Sequence, residues 1–272
     1  MTHQPGPRTY ASPGSSVQTR AVPWDALALG VPVIELIELA GDEPAALDAV
    51  LAAVDATCAT EAVGVATTRI VACADAAVAA LARAGYRHVE TSHALRLAPV
   101  VIARGLDRGL SIEPATTADA PALAALALAA FTHSRYLEDD RIHPARARAR
   151  MARWIIDSLG NGDDVVVARR RGALAAAMSW RRVGDSVRLL LGGTAQDAGP
   201  IAPLFWTAVV RELAGRGVRA IHTRVSTANP AALRLHHALG FVAGEPELGM
   251  TKLYPVGEPI VGSPPRDVER TT

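Results

Sequence analysis

Hydrophobic and polar positions follow two periods along the chain, and their order predicts alternating strands and helices. Apolar positions two apart are typical of strands, and apolar positions three and four apart are typical of helices. Predicted strands cover residues 31–40, 63–72, 87–97, 110–114, 164–169, 173–182, 186–192, 221–225 and 248–254. Predicted helices cover residues 43–60, 75–84, 119–131, 144–159, 200–214 and 230–239. Three strands follow one another between residues 164 and 192, so the pattern favours an α/β protein with a mixed sheet.

One strand-to-helix stretch, residues 224–241, is especially well defined. Asn229 stands where a helix N-cap belongs, Pro230 suits the first helical position, and Gly240 suits the helix end. Residues 69–86 repeat the same order of strand, short helix, glycine and aromatic residue. The repeat suggests that the N-terminal half is a truncated copy of the C-terminal half.

Composition narrows the class of protein. The 272 residues are 50% hydrophobic, enough for a substantial core, and the net charge of +1 argues against a polyelectrolyte such as a general DNA-binding protein. Two cysteines, Cys58 and Cys73, lie in apolar surroundings and indicate neither a disulfide framework nor a metal site. No apolar run is long enough to span a membrane, and the first residues lack a signal-peptide pattern, so we expect a cytoplasmic protein.

Composition shifts also predict the domain organisation. Residues 1–21 are rich in Pro, Gly, Ser and Thr and are expected to form a disordered arm. An N-terminal α/β domain is expected over 22–98, a linker over 99–109, a C-terminal domain over 110–255 and a tail over 256–272.

The spacing within residues 224–241 resembles the C-terminal signature of the GCN5-related N-acetyltransferases (GNAT). In that family a strand leads to Asn, with Ala three residues on, often Tyr seven on, and Gly-Phe at eleven and twelve. Here these positions hold Asn229, Ala232, His236, Gly240 and Phe241. The resemblance covers about residues 110–255. It implies a GNAT fold in the C-terminal half, preceded by a smaller GNAT-like domain.

Two further stretches resemble the two-domain members that acetylate nucleotide-linked dideoxy-amino sugars. The first is Pro23-Trp24-Asp25 near the start of the chain. The second, residues 134–155, resembles the Ser-Arg-aromatic loop and the Trp-containing helix of that group. This resemblance implies that Ser134, Arg135 and Tyr136 bind the substrate.

The GNAT resemblance also implies residues that bind acetyl-CoA or another acyl-CoA. The family's pyrophosphate loop, Gln/Arg-x-x-Gly-x-Gly/Ala, corresponds to residues 196–202, and a backbone N–H of the preceding strand polarises the acyl carbonyl. The implied residues are Leu190, Leu191, Gln196, Gly199, Ile201, Ala202 and Asn229. Within the loop, Pro200 carries no N–H and Ile201 replaces a small residue. The alternative is an ordinary loop in which proline opens the helix.

His236, at the position of the family's tyrosine, is the candidate catalytic residue. A tyrosine, with a pKa of about 10, can protonate a leaving thiolate, whereas a histidine near 6.5 can do so only when protonated. A histidine can instead accept a proton from the attacking amine. The alternative is a helix-surface histidine without a catalytic role.

Arginines suggest a second feature. Arg146, Arg150 and Arg153 share one face of the predicted helix after His143-Pro144. Such a stripe suits recognition of a nucleotide diphosphate or RNA phosphates, or is simply a solvated face. The remaining candidates for substrate binding are Arg148, on the apolar side of that helix, and His222 and Arg224 on the strand before residue 226.

These observations together favour an acyl-CoA-dependent N-acyltransferase that acts on a small amine by direct attack in a ternary complex. One alternative keeps the fold and takes the acyl group from aminoacyl-tRNA. Another is an inactive GNAT-like binding module. We expect no metal, no DNA and no membrane partner, and a monomer or homodimer.

Overall fold

One mixed sheet runs through the computed structural model, which describes residues 6–98, 110–198 and 200–255. Its 11 strands are β1 (Arg8–Ser12), β2 (Ser15–Ala21), β3 (Val33–Ala40), β4 (Val65–Val71), β5 (Arg87–Leu97), β6 (Glu113–Pro114), β7 (Asp164–Arg170), β8 (Ala173–Val183), β9 (Ser186–Thr194), β10 (Ala220–Ser226) and β11 (Val242–Leu253). The helices are α1 (Pro23–Leu29), α2 (Pro44–Thr60), α3 (Asp75–Arg83), α4 (Ala120–Ala130), α5 (Pro144–Gly160), α6 (Ala202–Gly215) and α7 (Pro230–Ala238). Short 3₁₀ turns occupy Thr117–Asp119 and Gln196–Ala198.

The two halves of the chain exchange their last strands at the centre of the sheet. The strand order is β1-β2-β3-β4-β11-β5-β10-β9-β8-β7-β6. β11, from the end of the described chain, lies antiparallel between β4 and β5, and β5 lies antiparallel to β10. Each half therefore depends on a strand from the other half for its hydrogen-bonded ladder.

The stretches that repeat in the sequence occupy equivalent places beside this exchange. In the N-terminal half β3 runs parallel to β4, and in the C-terminal half β9 runs parallel to β10. The helices that follow β4 and β10 are ended by Gly85 and Gly240, both at a φ of +88°. This left-handed conformation suits glycine because other residues would bring Cβ too close to the backbone.

Each exchanged strand also contributes a side chain to the hydrophobic core of the other half. Met250 of β11 is buried with Leu47, Leu51 and Leu81 of the N-terminal half. Leu95 of β5 is buried in the C-terminal cluster that contains Trp180, Phe205 and Ile221. Burial of such a side chain contributes about 1.5–3 kcal/mol. The two cores are therefore stabilised by residues from both ends of the chain.

The N-terminal segment corrects one prediction. Residues 8–21 form the β1–β2 hairpin, and Ser15, Val17 and Thr19 of β2 are buried on one face. The disordered arm predicted for residues 1–21 is therefore wrong over the hairpin, because the period-two alternation in β2 outweighs the Gly and Ser content. Residues 1–5, the linker predicted at 99–109 and the tail predicted at 256–272 lie outside the described residues.

Gly249 of β11 makes room for a partly buried ion pair across the exchanged strands. It is paired with Arg69 on β4 and with Glu90 on β5, and Arg69 donates to the Glu90 carboxylate at 2.6 Å. A Cβ at Gly249 would lie 3.2 Å from both Cβ and Oε2 of Glu90. A larger side chain here requires the Glu90 side chain, and with it the ion pair, to move.

Gly249→Val is accordingly expected to lower the free energy of unfolding by about 1–3 kcal/mol, the usual cost of overpacking. Urea denaturation measures the change. Gly244→Val, in the exposed part of the same strand, is the matched control because a Cβ there meets only ordinary contacts. Equal midpoints for the two variants would contradict this account of Gly249.

Candidate active site

β9 and β10 separate partway along their length and open a cleft. Their parallel pairing covers only Ala220–Ser186, Ile221–Val187 and His222–Arg188. Beyond these pairs, residues 189–192 of β9 and 223–226 of β10 line a cavity of about 150 Å³. We call this cavity the β9–β10 cleft. It is lined by Phe131, His133, Met151, Met178, Leu189, Leu190, Leu191, Gly192, Trp206, Thr223, Arg224, Val225, Ser226, Asn229, Ala232 and His236.

A β-bulge at Leu190 coincides with this separation. Ser179 on β8 pairs with Leu191 and Trp180 pairs with Leu189, so Leu190 is an extra residue without a partner on β8. A bulge bends its strand and interrupts the regular ladder. Leu190 and Leu191, both implied in acyl-CoA binding by the family resemblance, thus lie on the wall of the cleft.

Gly192 allows two large side chains to pack against the cleft end of β9. A Cβ at this position would lie 2.5 Å from Met178 Cε and 2.9 Å from Trp206 Cζ2. Only glycine therefore fits without movement of Met178 or Trp206.

His236 is buried against the cleft in a defined hydrogen-bonding state. Its Nδ1 lies 2.8 Å from the carbonyl oxygen of Ala232, which can only accept, so Nδ1 carries the hydrogen. Burial lowers the pKa of His236 below its ordinary value of 6.5, and the neighbouring His237 acts in the same direction. The neutral ring consequently has its lone pair on Nε2. His236 is held as a proton acceptor rather than as a standing proton donor.

The aromatic surroundings of His236 fix its ring. Phe241 and Trp206 pack edge-on against it, with centroid distances of 5.0 and 6.3 Å. Asn229 holds the helix that carries it, because its Oδ1 accepts a hydrogen bond from the Ala232 N–H at 3.0 Å as the N-cap of α7. The structural role of Asn229 is therefore that of an N-cap. Asn229 also lines the cleft, and its implied role in cofactor binding stays a prediction.

Trp206 supplies an unsatisfied hydrogen-bond donor in the wall of the cleft. Its indole is 7% exposed, and its Nε1 is buried without an acceptor among the described residues. A buried unpaired donor costs about 1–3 kcal/mol, so such groups call for an explanation. Because the atom itself is buried, a ligand carbonyl in the cleft would reach it only after a shift of the indole ring.

The loop that precedes α6 contains the residues implied in pyrophosphate binding. Gln196 is exposed in the 3₁₀ turn, Ala202 begins α6, and Gly199 lies outside the described residues. Ile201, which replaces the small residue of the family's loop, turns its side chain into the core with Phe205, so it does not fill the space in front of the helix. The first turn of α6 has no side-chain cap and remains suited to an anion.

Two arginines lie beside this loop. Arg170 donates from Nη1 to the Ala198 carbonyl at 2.8 Å. Arg170 and Arg171 line a second cavity of about 330 Å³ together with Asp197 and Ala198. Positive charge is therefore available where Pro200 provides no N–H, although Asp197 opposes it.

Arg135 and Tyr136 lie between the two halves of the protein and not in the cleft. Tyr136 is fully buried and donates to Asp25 Oδ2 at 2.7 Å, while Arg150 Nε donates to Asp25 Oδ1 at 2.7 Å. Arg135 pairs with Glu35 at 3.1 Å. These side chains join α1 and β3 to α5 and its preceding loop. The expectation that Arg135 and Tyr136 bind substrate is corrected, because the protein itself occupies their polar groups and buries them.

The other residues expected to bind substrate are dispersed. Ser134 is buried and accepts from the Leu137 N–H at 3.3 Å, and Arg148 is exposed on α5. His222 lies where β9 and β10 are still paired, outside the cleft lining. Arg224 alone of the six lines the cleft, where it pairs with Glu247 at 2.6 Å.

The arginine stripe of α5 is also used within the protein. Arg150 binds Asp25, Arg146 donates to the Leu29 carbonyl at 2.6 Å, and Arg153 pairs with Asp157 at 2.8 Å. Interpretation of this stripe as a surface for phosphates is therefore not supported by its geometry.

Several cleft residues escape prediction from the sequence. Phe131, Met178 and Trp206 read as ordinary apolar positions of a helix or strand, and only the fold brings them to the cleft. His133 and Ser226 are isolated polar residues. A signal for Ser226 exists, since it directly follows the strand predicted over residues 221–225, which carries Arg224.

The described residues contain neither a membrane-spanning helix nor a cluster of metal ligands. Within residues 6–98, 110–198 and 200–255, no helix combines the length and apolar character needed to cross a membrane. The same residues contain no group of three or more His, Cys, Asp or Glu side chains arranged to hold a metal ion.

No family model and no curated protein sequence matches the chain. Solved structures do match it. A GCN5-related N-acetyltransferase from Sphaerobacter thermophilus superposes with a TM-score of 0.64 at 12% identity, over 90% of this chain and 79% of that chain. One from Kribbella flavida gives 0.61 at 13%, over 92% and 90%.

A third match, a tandem GNAT protein from the clavulanic acid biosynthesis pathway, has a TM-score of 0.56 at 15% identity, over 90% of this chain and 80% of that chain. These likenesses confirm the predicted α/β class with a mixed sheet and its two-part organisation. The chain therefore has the fold of these GCN5-related N-acetyltransferases.

Proposed function

We propose that this protein is an acyl-CoA-dependent N-acyltransferase, with acetyl-CoA as the expected donor and a small amine as the acceptor. The observation that carries the proposal is the β9–β10 cleft, opened at the Leu190 bulge and lined by His236 and Trp206. Fold likeness alone does not establish an activity, so the support comes from the chemistry that these residues can perform.

The cleft has groups suited to a thioester ligand. After a shift of the indole ring, the unpaired Trp206 Nε1 can donate to a ligand carbonyl, and the backbone around the Leu190 bulge is free of its partner strand. The uncapped start of α6, with Arg170 and Arg171 nearby, suits the phosphates. Bound acyl-CoA would supply an activated acyl group at the end of this cleft.

His236 would handle the proton of the attacking amine. Its neutral ring can accept a proton at Nε2 while Nδ1 stays bound to the Ala232 carbonyl. The resulting imidazolium, disfavoured by burial, readily gives the proton up to the departing sulfur. The substitution of histidine for the family's tyrosine thus fits a group that first accepts and then donates.

Aminoacyl-tRNA is a weaker candidate for the donor. The arginine stripe that favoured it is engaged with Asp25, Leu29 and Asp157. We therefore retain acyl-CoA as the donor.

Trp206→Phe tests the proposal at the donor site. Wild-type protein is expected to be stabilised against heat by acetyl-CoA and by CoA. Phenylalanine keeps the aromatic packing but removes the N–H, so affinity for acetyl-CoA should fall about 10-fold, the value of one hydrogen bond near 1.4 kcal/mol. Calorimetry gives the affinity, and thiol release with a panel of amines gives the activity.

Trp24→Phe is the matched control, since Trp24 is exposed on α1 and distant in sequence from the cleft elements. Absence of any thermal shift at saturating acetyl-CoA would sink the proposed function. An unchanged affinity in Trp206→Phe would instead remove Trp206 from the donor site.

A further inference from the structure

Glu138 lies at the edge of the β9–β10 cleft, on the loop between α4 and α5. Its Oε1 accepts a hydrogen bond from Ser226 Oγ at 2.8 Å. The same oxygen lies 3.8 Å from Nδ1 of His133. Ser226 and His133 both line the cleft. The Glu138 backbone N–H donates to the Ser134 carbonyl at 2.8 Å, which fixes this part of the loop.

The charges around Glu138 leave its carboxylate without a guanidinium. Arg69 pairs with Glu90 at 2.6 Å, Arg224 with Glu247 at 2.6 Å and Arg135 with Glu35 at 3.1 Å. In the part of the chain that the structure describes, the one cationic group within 4.0 Å of Glu138 is the His133 ring, which is charged only when protonated. Each of these arginines is thus paired with another carboxylate, and the negative charge of Glu138 is not compensated by an arginine.

Burial makes this charge costly. Its side chain is 18% exposed, and burial raises the pKa of Glu138, with Glu90 adding to the effect and Ser226 and Arg69 opposing it. A partly buried carboxylate without a counter-ion is stabilised when a cation binds beside it.

We propose that Glu138 binds the ammonium group of the acceptor, which is therefore a basic aliphatic amine that arrives protonated. This inference rests on the proposed function and specifies its substrate class. Glu138 takes one proton from the –NH₃⁺ group onto a carboxylate oxygen and later releases it to solvent, which leaves –NH₂ with a lone pair. The second proton, lost when the nitrogen is acylated, belongs to His236.

The same charge pattern disfavours acceptors that carry a diphosphate. An anionic carrier would have to displace Glu90, Glu247 or Glu35 from an arginine or meet the unpaired Glu138. A compact amine without a phosphate fits the edge of the cleft better than a nucleotide-linked sugar.

Glu138→Gln tests the assignment, with cyclohexylamine and aniline as probes of similar shape. Near neutral pH the first is a cation and the second is uncharged. Glutamine keeps an oxygen that accepts from Ser226 but has no charge. The KM for cyclohexylamine is expected to rise about 10- to 100-fold, the range for a hydrogen bond to a charged group, while the KM for acetyl-CoA stays unchanged.

The pH dependence adds a readout that a purely structural role would not move. Wild-type affinity for cyclohexylamine should fall as the pH drops through the raised pKa of Glu138, because the neutral carboxyl no longer attracts a cation. His133, Glu90 and Arg69 face the group and are unchanged in the variant, so Glu138→Gln should lose this dependence. Asp140→Asn, an exposed carboxylate of the same loop, is the matched control.

An unchanged KM for cyclohexylamine in Glu138→Gln, or equal use of aniline and cyclohexylamine, would overturn the inference. If no amine leads to release of thiol from acetyl-CoA, the proposed function fails. Calorimetric titration of cyclohexylamine into the whole chain then tests whether Glu138 binds an ammonium group. Binding that disappears in Glu138→Gln would then support an ammonium site. Binding that is absent, or equal in both proteins, would overturn it.

Discussion

His236→Phe is expected to lower turnover of acyl transfer about 100- to 10,000-fold, the usual contribution of general acid–base catalysis. Phenylalanine preserves the aromatic packing on Phe241 and Trp206 but has no nitrogen to hold a proton. It removes the hydrogen bond from Nδ1 to the Ala232 carbonyl, at a cost of about 0.5–1.5 kcal/mol in stability. Affinity for acetyl-CoA should change little. Steady-state thiol release and calorimetry measure the two effects separately.

The adjacent His237→Phe is a stringent control, because His237 is exposed and lies about 100° around α7 from His236. Turnover of this variant should match that of the wild type. Equal turnover in His236→Phe and the wild type would remove His236 from the mechanism, and a collapse of acetyl-CoA binding would assign it a packing role instead.

The lowered pKa of His236 also gives the direction of the pH dependence. Only the neutral ring accepts a proton, so turnover should decline as the pH falls through a value below 6.5. The unfolded chain binds a proton at higher pH than the folded protein does, so the stability contributed by neutral His236 is present above about 6.5 and is lost toward acid. Both trends should be absent in His236→Phe.

Asp25→Ala is expected to have the largest effect on stability, a loss of about 3–5 kcal/mol in the free energy of unfolding. The fully buried Asp25 carboxylate binds Arg150 and Tyr136 at 2.7 Å each, and Arg150 stacks over the rings of Tyr136 and Trp154. Removal of the carboxylate leaves a buried guanidinium without its counter-ion. A loss of this size is a large part of the 5–15 kcal/mol typical of folded proteins.

Asp48→Ala provides the comparison, because the Asp48–Arg83 pair is exposed on the surface. Such pairs contribute about 0–1 kcal/mol. Urea denaturation of both variants gives the difference, and similar midpoints would show that the Asp25 network does not hold the two halves together.

Sequence spacing predicts the parts of the site that depend on local structure. Asn229, His236 and Gly240 belong to one strand-to-helix unit, whose caps and period can be recognised without the rest of the fold. Leu190 and Leu191 line the cleft because they lie on β9 beyond the point where its pairing with β10 ends. In the strand-to-helix unit, neighbours in sequence determine the geometry.

Contacts between distant segments account for what the sequence does not predict. The local sequence around Arg135 and Tyr136 is compatible with a substrate-binding loop. Nothing in it indicates that Asp25 of α1 and Glu35 of β3 become the partners of these two side chains. Trp206 and Glu138 reach the cleft through α6 and the α4–α5 loop, which approach it from separate parts of the chain. The strand exchange is invisible in the sequence for the same reason: β5 and β11 have ordinary strand patterns that do not specify their neighbours.

That exchange has a consequence for how the protein could be divided. A fragment that ends before residue 110 would lack β11 and leave β4 and β5 without their common partner. A fragment that starts there would lack β5 and expose the edge of β10 to pairing with other chains. Two separate copies of one half could exchange last strands only as a swapped dimer. In this single chain, each half supplies the strand that a second subunit would supply in such a dimer.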